Sequence, residues 1–251
     1  MKKVLVSGIN GHMGQILCRL IAEDHDMEVI AGVDINTTPI MHYPVYETPD
    51  QIDREFWGKT DVIIDFSSPK ATSSLIHFAI LEGVPLVIAT TGISDKNEAQ
   101  MKKAAKKIPI FYSANMSYDM CVFKRILEVA VPLLEEADIE ITEEHHRRKA
   151  DSPSGTAKML AHIINDNLDI VREIVYGRTS KRDVDEIGIS SVRGGTICGT
   201  HAVKFFGESD ILEIKHTALS RDVFAEGAIR AAKFITEGGR KPGFYTMDDL
   251  F

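Results

Sequence analysis

The sequence predicts an α/β protein in which a doubly wound parallel sheet is interrupted by an inserted α+β domain. Three observations carry this reading. Short apolar runs alternate with helical patterns through the first half, and a glycine-rich turn follows the first of those runs. The pattern then changes after residue 116 and returns near the C-terminus.

The elements follow in order. "KVLVSG" reads as a strand, "MGQILCRLIAED" as a helix and "MEVIAGVD" as a second strand. After an irregular, proline-containing stretch come "DVIIDFS", a helix over Pro69–Glu82, "PLVIAT", a helix over Ser94–Lys107 and "IPIFYSAN". The strand runs are almost continuously apolar, as expected of strands buried on both faces of a parallel sheet. Strands alternating with helices form βαβ units. Beyond residue 116, "DMCVFKRILEVAVPLLEEA" has helical spacing and "DIEITEEHH" alternates like a half-exposed strand. A helix is expected over Ser154–Asn167, followed by strands in "EIGISSVRG", "ICGTHAVKFFG" and "DILEIKHTA". The Gly194–Gly195 and Gly207–Asp210 turns between them suggest antiparallel hairpins. A last helix, Asp222–Thr236, returns to the first pattern. The expected domains are 1–116 with 221–251, and 117–220.

Composition bounds the function. The chain has 251 residues, 44% hydrophobic and 26% charged, which suits a globular protein with a full core. A net charge of −8 and a pI near 5.6 argue against a nucleic-acid or anionic-membrane partner. No run approaches the ~18 apolar residues of a membrane span. The three cysteines, Cys18, Cys121 and Cys198, are far apart and odd in number, which suits a reducing compartment without disulfides or zinc. The expected location is the cytoplasm.

"VLVSGINGHMGQIL" places Gly8, Gly11 and Gly14 between the first strand and first helix. Such a turn lets backbone N–H groups and a helix N-terminus meet a pyrophosphate. Alone it is also compatible with an ordinary strand–helix turn. Asp34, twenty residues beyond Gly14 at the end of the second strand, strengthens the nucleotide reading, because a carboxylate there accepts from ribose hydroxyls. Ile35, Asn36, Thr37 and Thr38 follow it without a cation for a 2′-phosphate. The lean is towards NAD(H), with NADP(H) left open as a second nucleotide.

The densest stretch is "EEHHRRKADSPSGTAK", Glu143 to Lys158. On an extended strand His145 and His146 point to opposite sides, so they do not share one metal, and no metal is expected. Gly155 and Thr156 open a helix capped by Ser152 or Ser154, with Pro153 near its first turn. That helix start, with Lys149 close by, could hold a carboxylate. It could equally be a capped helix behind a basic surface loop.

At these residues the chain resembles the dihydrodipicolinate (4-hydroxy-tetrahydrodipicolinate) reductase family. The His-His-x-x-Lys and Asp-x-Pro-Ser-Gly-Thr-Ala runs match its signature, supported by "GINGHMG", Asp65-Phe66-Ser67, "ATTG" and "SANMS". The resemblance spans essentially the whole chain. It implies a Rossmann-type nucleotide domain joined to a domain that binds substrate and builds a homotetramer. It implies that Gly8, Ile9, Asn10, Gly11, His12, Met13 and Gly14 hold the pyrophosphate and that Asp34 holds the ribose. Phe66, Ala89, Thr90, Thr91, Ser113, Ala114, Asn115 and Met116 would then line the nicotinamide end. His145 is implied as acid/base group and Lys149 as proton donor, with His146, Lys149, Gly155 and Thr156 binding a small cyclic dicarboxylate. The implied reaction is NAD(P)H-dependent reduction in the diaminopimelate route to lysine.

The sequence departs from the family pattern at Ala89, commonly Gly, and at Asp119 and Cys121, where Gly and Asn are usual. Asp119 could cap the following helix, stiffen the hinge or face the substrate. Two rivals stand beside this reading. Another Rossmann-type dehydrogenase of amino or keto acids would not need the histidine pair before Pro-Ser-Gly-Thr. A non-catalytic relative would draw its support from Asp119 and Cys121, against His145 and Lys149.

Overall fold

The computed structural model describes all 251 residues, which form two compact units: Met1–Tyr118 with Arg221–Phe251, and Asp119–Ser220. The first unit is built on a seven-stranded sheet. Its strands are β1 (Lys2–Ser7), β2 (Met27–Val33), β3 (Val45–Tyr46), β4 (Val62–Asp65), β5 (Leu86–Ile88), β6 (Pro109–Tyr112) and, from the C-terminal end of the chain, β12 (Gly243–Tyr245). Their order is β12-β6-β5-β4-β1-β2-β3 and every pairing is parallel. The helices are α1 (His12–Ala22), the short α2 (Arg54–Trp57), α3 (Pro69–Glu82), α4 (Asp95–Ala104) and α7 (Asp222–Thr236).

Sequence accounts for these elements directly. Leu5, Ile63, Leu86, Ile88 and Ile110 pack on Leu75, Ile76 and Ala79 of α3 and on Met101 and Ala104 of α4. Their alternates Val4, Val6, Ile64 and Val87 are buried as well, so the sheet is covered on both faces. Burying one such side chain contributes roughly 1.5–3 kcal/mol. Helix α3 starts where the Ser68 hydroxyl accepts the Ala71 amide, with Pro69 at its first position, and ends at Gly83 with φ +68°. Strand order reverses between β1 and β4, and in such sheets ligands bind beyond the carboxyl ends of the strands at that point.

The second unit holds α5 (Tyr118–Ala130), β7 (Asp138–His145), α6 (Gly155–Asp166), β8 (Glu173–Tyr176), β9 (Glu186–Arg193), β10 (Gly199–Phe206) and β11 (Ile211–Ala218). The sheet order is β11-β10-β7-β9-β8. Ile139 and Ile141 of β7, Ile187 and Ile189 of β9 and Leu160 and Ile164 of α6 are buried in one apolar cluster.

The hairpin expected at Gly207–Asp210 is present as the antiparallel β10–β11 pair. The one expected at Gly194–Gly195 is not. Strand β7 lies between β9 and β10, parallel to β9 and antiparallel to β10. The glycine turn instead crosses the end of β7 and fastens to it. The Gly194 amide donates to the His145 carbonyl, and the His146 and Arg147 amides donate to the carbonyls of Ile197 and Gly195. Backbone groups that a hairpin would pair locally are satisfied by the histidine segment.

Candidate active site

Two constellations emerge, one in each unit. In the first, the β1–α1 turn is a close-packed cradle. Gly8 has φ +78°, and a Cβ there would lie 2.7 Å from the Phe66 carbonyl oxygen. A Cβ on Gly14 would lie 2.1 Å from the Gly8 carbonyl oxygen. Gly11 occupies the N-cap of α1 with no side-chain cap, so the helix start keeps amides for an anion. Ile9 is buried, its side chain filling the space above Gly32, where a Cβ would lie 2.4 Å from it. Asn10 and His12 are half-buried and exposed respectively, and His12 begins α1.

Asp34 stands at the end of β2, where Oδ2 accepts the Asn10 amide at 3.0 Å and Oδ1 the Asn36 amide at 3.0 Å. Next to the cradle, a cleft of about 310 Å³ is lined by Met13, Phe66, Ser67, Ala89, Thr90, Thr91, Ala114, Met116, Arg221 and Phe224. Seven of these are among the expected nicotinamide and pyrophosphate residues. Ser113 and Asn115 do not line it; the Ser113 hydroxyl donates to the Asn115 carbonyl at 2.6 Å and Asn115 Oδ1 accepts the Ser117 amide, which shapes the turn. Asp65 is fully buried beneath the cleft, accepting from the hydroxyls of Ser67 (2.5 Å), Thr72 (2.5 Å) and Thr90 (3.1 Å), and so joins the loops after β4 and β5. A glycine cradle, a bare helix start and a carboxylate at the second strand fit a dinucleotide.

In the second unit, alternate residues of β7 face inward, and the last two of these are Glu143 and His145. Glu143 is fully buried. Its Oε2 meets His145 Nδ1 at 2.5 Å and accepts Arg193 Nη1 at 2.8 Å. Its Oε1 accepts Arg193 Nη2 at 2.6 Å and the Ser154 amide at 3.1 Å. Burial pushes the Glu143 carboxyl up, but Arg193, Ser191, His145 and the Ser154 amide outweigh it and hold the group down at about 2. Burial lowers the His145 pKa below its usual value; Glu143 opposes this, and Lys149 and Arg193 add to it.

Ser154, not Ser152, caps α6, with Pro153 before it; its hydroxyl accepts the Ala157 amide at 3.1 Å and lies 3.0 Å from His201 Nε2. Gly155 and Thr156 form the first two positions of α6, and a Cβ on Gly155 would meet nothing within 4 Å. Lys149 pairs with Asp151 at 2.7 Å, and its amide donates to the His146 carbonyl. His146 follows the last residue of β7, and its Nδ1 is buried without a hydrogen-bond partner. One carboxylate thus ties the histidine strand to the helix start.

Arg221 and Phe224 in the cleft, and Glu143, Arg193 and His201 in the second unit, were not expected from the sequence. Of these, Glu143 did carry a signal, because it shares the inward face of β7 with Ile139, Ile141 and His145. Asp119 occupies the first turn of α5, where an acid favours the helix dipole, and Cys121 is buried. No group of three or more His, Cys, Asp or Glu side chains is placed to hold a metal ion.

Comparison with known proteins agrees across the chain. Residues 2–116 match the family model for dihydrodipicolinate reductase, N-terminus, and residues 119–251 that for its C-terminus. The 4-hydroxy-tetrahydrodipicolinate reductase of Caldanaerobacter subterraneus subsp. tengcongensis is 46% identical over 253 residues, covering 100% of this chain and 98% of that one. That of Clostridium tetani is 43% identical, covering 99% and 96%. Among solved structures, dipicolinate-bound dihydrodipicolinate reductase from Paenisporosarcina sp. TG-14 superposes with a TM-score of 0.83 at 23% identity, each chain covered in full. Diaminopimelate dehydrogenase of C. glutamicum shares the fold at a TM-score of 0.60 and 14% identity, over 98% and 92% of the chains.

Proposed function

The chain belongs to the dihydrodipicolinate reductase family, and we propose that it reduces 4-hydroxy-tetrahydrodipicolinate, through the dehydrated imine, to tetrahydrodipicolinate. The reaction belongs to the diaminopimelate route of lysine biosynthesis and draws on NAD(P)H. The observation that carries this reading is the Glu143 carboxylate holding both His145 and the start of α6. An acid/base ring thereby stands in register with the turn that would take a substrate carboxylate.

The residues divide the work. Gly155 and Thr156, at the positive end of α6, hold one carboxylate of the dicarboxylate, and His146 and the Lys149 ammonium contribute further positive or hydrogen-bonding groups. A reduced nicotinamide held between Phe66, Ala89, Thr90, Thr91, Ala114 and Met116 would supply the hydride for ring C4. Lys149 offers the proton required by the enamine carbon, and His145 acts as acid/base group beside it. The Gly8–Gly14 cradle holds the pyrophosphate, and Asp34 the adenosine ribose. Because Asp34 would repel a 2′-phosphate and Ile35 brings no cation, NADH is the preferred nucleotide.

The second unit, 117–220 in this reading, also assembles a homotetramer. Family membership supports this, as does the edge strand β11, which leaves Ile211 and Leu212 exposed. No helix is long and apolar enough to cross a membrane, and none of the three cysteines is in a disulfide; both fit work in the cytoplasm.

The test is consumption of NADH with freshly generated substrate. Wild-type turnover is expected, with His145→Gln and Lys149→Gln each lowering kcat by roughly 10²-fold or more. Near-normal turnover in both variants removes the mechanism. Light scattering checks the assembly, for which the expected mass is about four times the 27.9 kDa chain.

A further inference from the structure

We propose that Glu143 is a positioning residue that fixes His145 in a single tautomer, with Nε2 as the working nitrogen, and that Gly199 keeps space open beside that nitrogen. The proposal deepens, and rests on, the reading of His145 as the acid/base group.

The tautomer follows from proton counting. Glu143 is ionised, and a carboxylate offers only lone pairs. Its partners at Arg193 and Ser154, two guanidinium nitrogens and an amide, can only donate. The imidazole nitrogen 2.5 Å from Oε2 must therefore carry a hydrogen. In the neutral ring that places the proton on Nδ1 and leaves Nε2 bare. A ring otherwise free to exchange tautomers is committed to one, as an orienting carboxylate does for a catalytic histidine elsewhere.

Geometry identifies where that bare nitrogen lies. A Cβ on Gly199 would lie 3.0 Å from Nε2 and 3.3 Å from Cδ2 of His145. Any other residue at the start of β10 would press on the working edge of the ring. The charged and titratable groups facing His145 come from four places. They are Glu143 on β7, Lys149 on the following loop, Arg193 on β9 and His201 on β10, whose ring stacks edge-on at 5.1 Å. Only Glu143 contacts Nδ1.

An ordinary buried ion pair between Glu143 and Arg193 would account for the arginine but not for the histidine contact. The same Oε1 also holds the Ser154 amide. Moving the carboxylate would therefore disturb the ring and the substrate turn together.

The first measurement needs no variant and no substrate: imidazole ¹⁵N shifts of His145, assigned through bonds in the wild-type chain at pH 7.5. Protonated Nδ1 with bare Nε2 is expected. Protonated Nε2 overturns the proposal, whatever reaction the protein catalyses. The second is the pH profile of kcat for Glu143→Gln. We expect kcat to fall by about tenfold or more, substrate KM to stay within about threefold and the apparent His145 pKa to move down, since a charge favouring the imidazolium is gone. A folded Glu143→Gln variant with wild-type kcat and profile overturns it. The third is Gly199→Ala, which leaves Glu143 and Arg193 in place. Its kcat should fall with Tm near that of wild type, and an unchanged kcat overturns the claim for Gly199. Should wild type fail to reduce the substrate, the functional reading falls while the ¹⁵N result still decides the tautomer.

Discussion

The Ser154 hydroxyl accepts the Ala157 amide at 3.1 Å while lying 3.0 Å from Nε2 of His201. Burial pushes the His201 ring down to about 4, so at neutral pH it is uncharged and Nε2 can accept the hydroxyl proton. Ser154→Ala removes both contacts. Loss of the cap costs about 0.5–2 kcal/mol, and an unpaired buried ring nitrogen about 1–3 kcal/mol. Urea unfolding should show a loss of about 2–4 kcal/mol, largely restored by Ser154→Thr. A change below about 0.5 kcal/mol would mean that the His201 contact is satisfied in another way.

Stability should fall with acid in two stages. His201 ionises near 6.5 when unfolded and near 4 when folded. Between these values the unfolded chain binds more protons, so stabilisation present above pH 6.5 is lost as pH falls towards 4. The shift corresponds to about 3 kcal/mol. Glu143, near 4.5 unfolded and about 2 folded, contributes above pH 4.5 and loses that contribution as pH falls towards 2. Thermal melts should be level above pH 7 and decline from pH 6.5. His201→Gln should reduce the slope of the upper stage, to which His145 also contributes, and leave the lower stage as it is; an unaltered upper slope would show that other groups carry it.

Gly155→Ala and Thr156→Val separate anchoring from capping. A Cβ on Gly155 meets no protein atom, so Gly155→Ala should leave Tm unchanged. If a substrate carboxylate sits there, KM should rise. Thr156→Val should raise KM through loss of a hydroxyl donor worth about 1.5–3 kcal/mol to a charged group. Shifts in Tm without any in KM would return the helix start to a purely structural role.

The parallel sheet was legible because its strands are almost wholly apolar and its helices carry their own punctuation, as at Ser68, Pro69 and Gly83. The short edge strands β8 and β12 were not, since four and three residues offer too little period to detect. The Gly194–Gly195 turn misled because a local glycine signal says nothing about an intervening strand. His145 stood out by its motif, whereas Glu143 was visible only as one position of the alternating strand "DIEITEEHH". Arg193 lies fifty positions from Glu143, and only the parallel β7–β9 register, which pairs His145 with Arg193, brings it in.

The proposed preference for NADH rests on Asp34 and Ile35. Both Asp34 oxygens accept a backbone amide, which fixes the carboxylate and still leaves lone pairs for the ribose hydroxyls. The same charge would repel a 2′-phosphate, and the adjoining Ile35 is 92% exposed and uncharged. A loss of even ~1.4 kcal/mol is tenfold in affinity, so NADH should exceed NADPH in kcat/KM by at least about that factor. Because Ile35 packs on little, Ile35→Arg should fold normally and narrow the gap through a charge-assisted phosphate contact. Both nucleotides must be compared at one ionic strength, since salt screens the phosphate contribution. Equal values in the wild type, or a preference for NADPH, would mean that a cation from elsewhere in the fold reaches the 2′-phosphate and overrides the Asp34 charge.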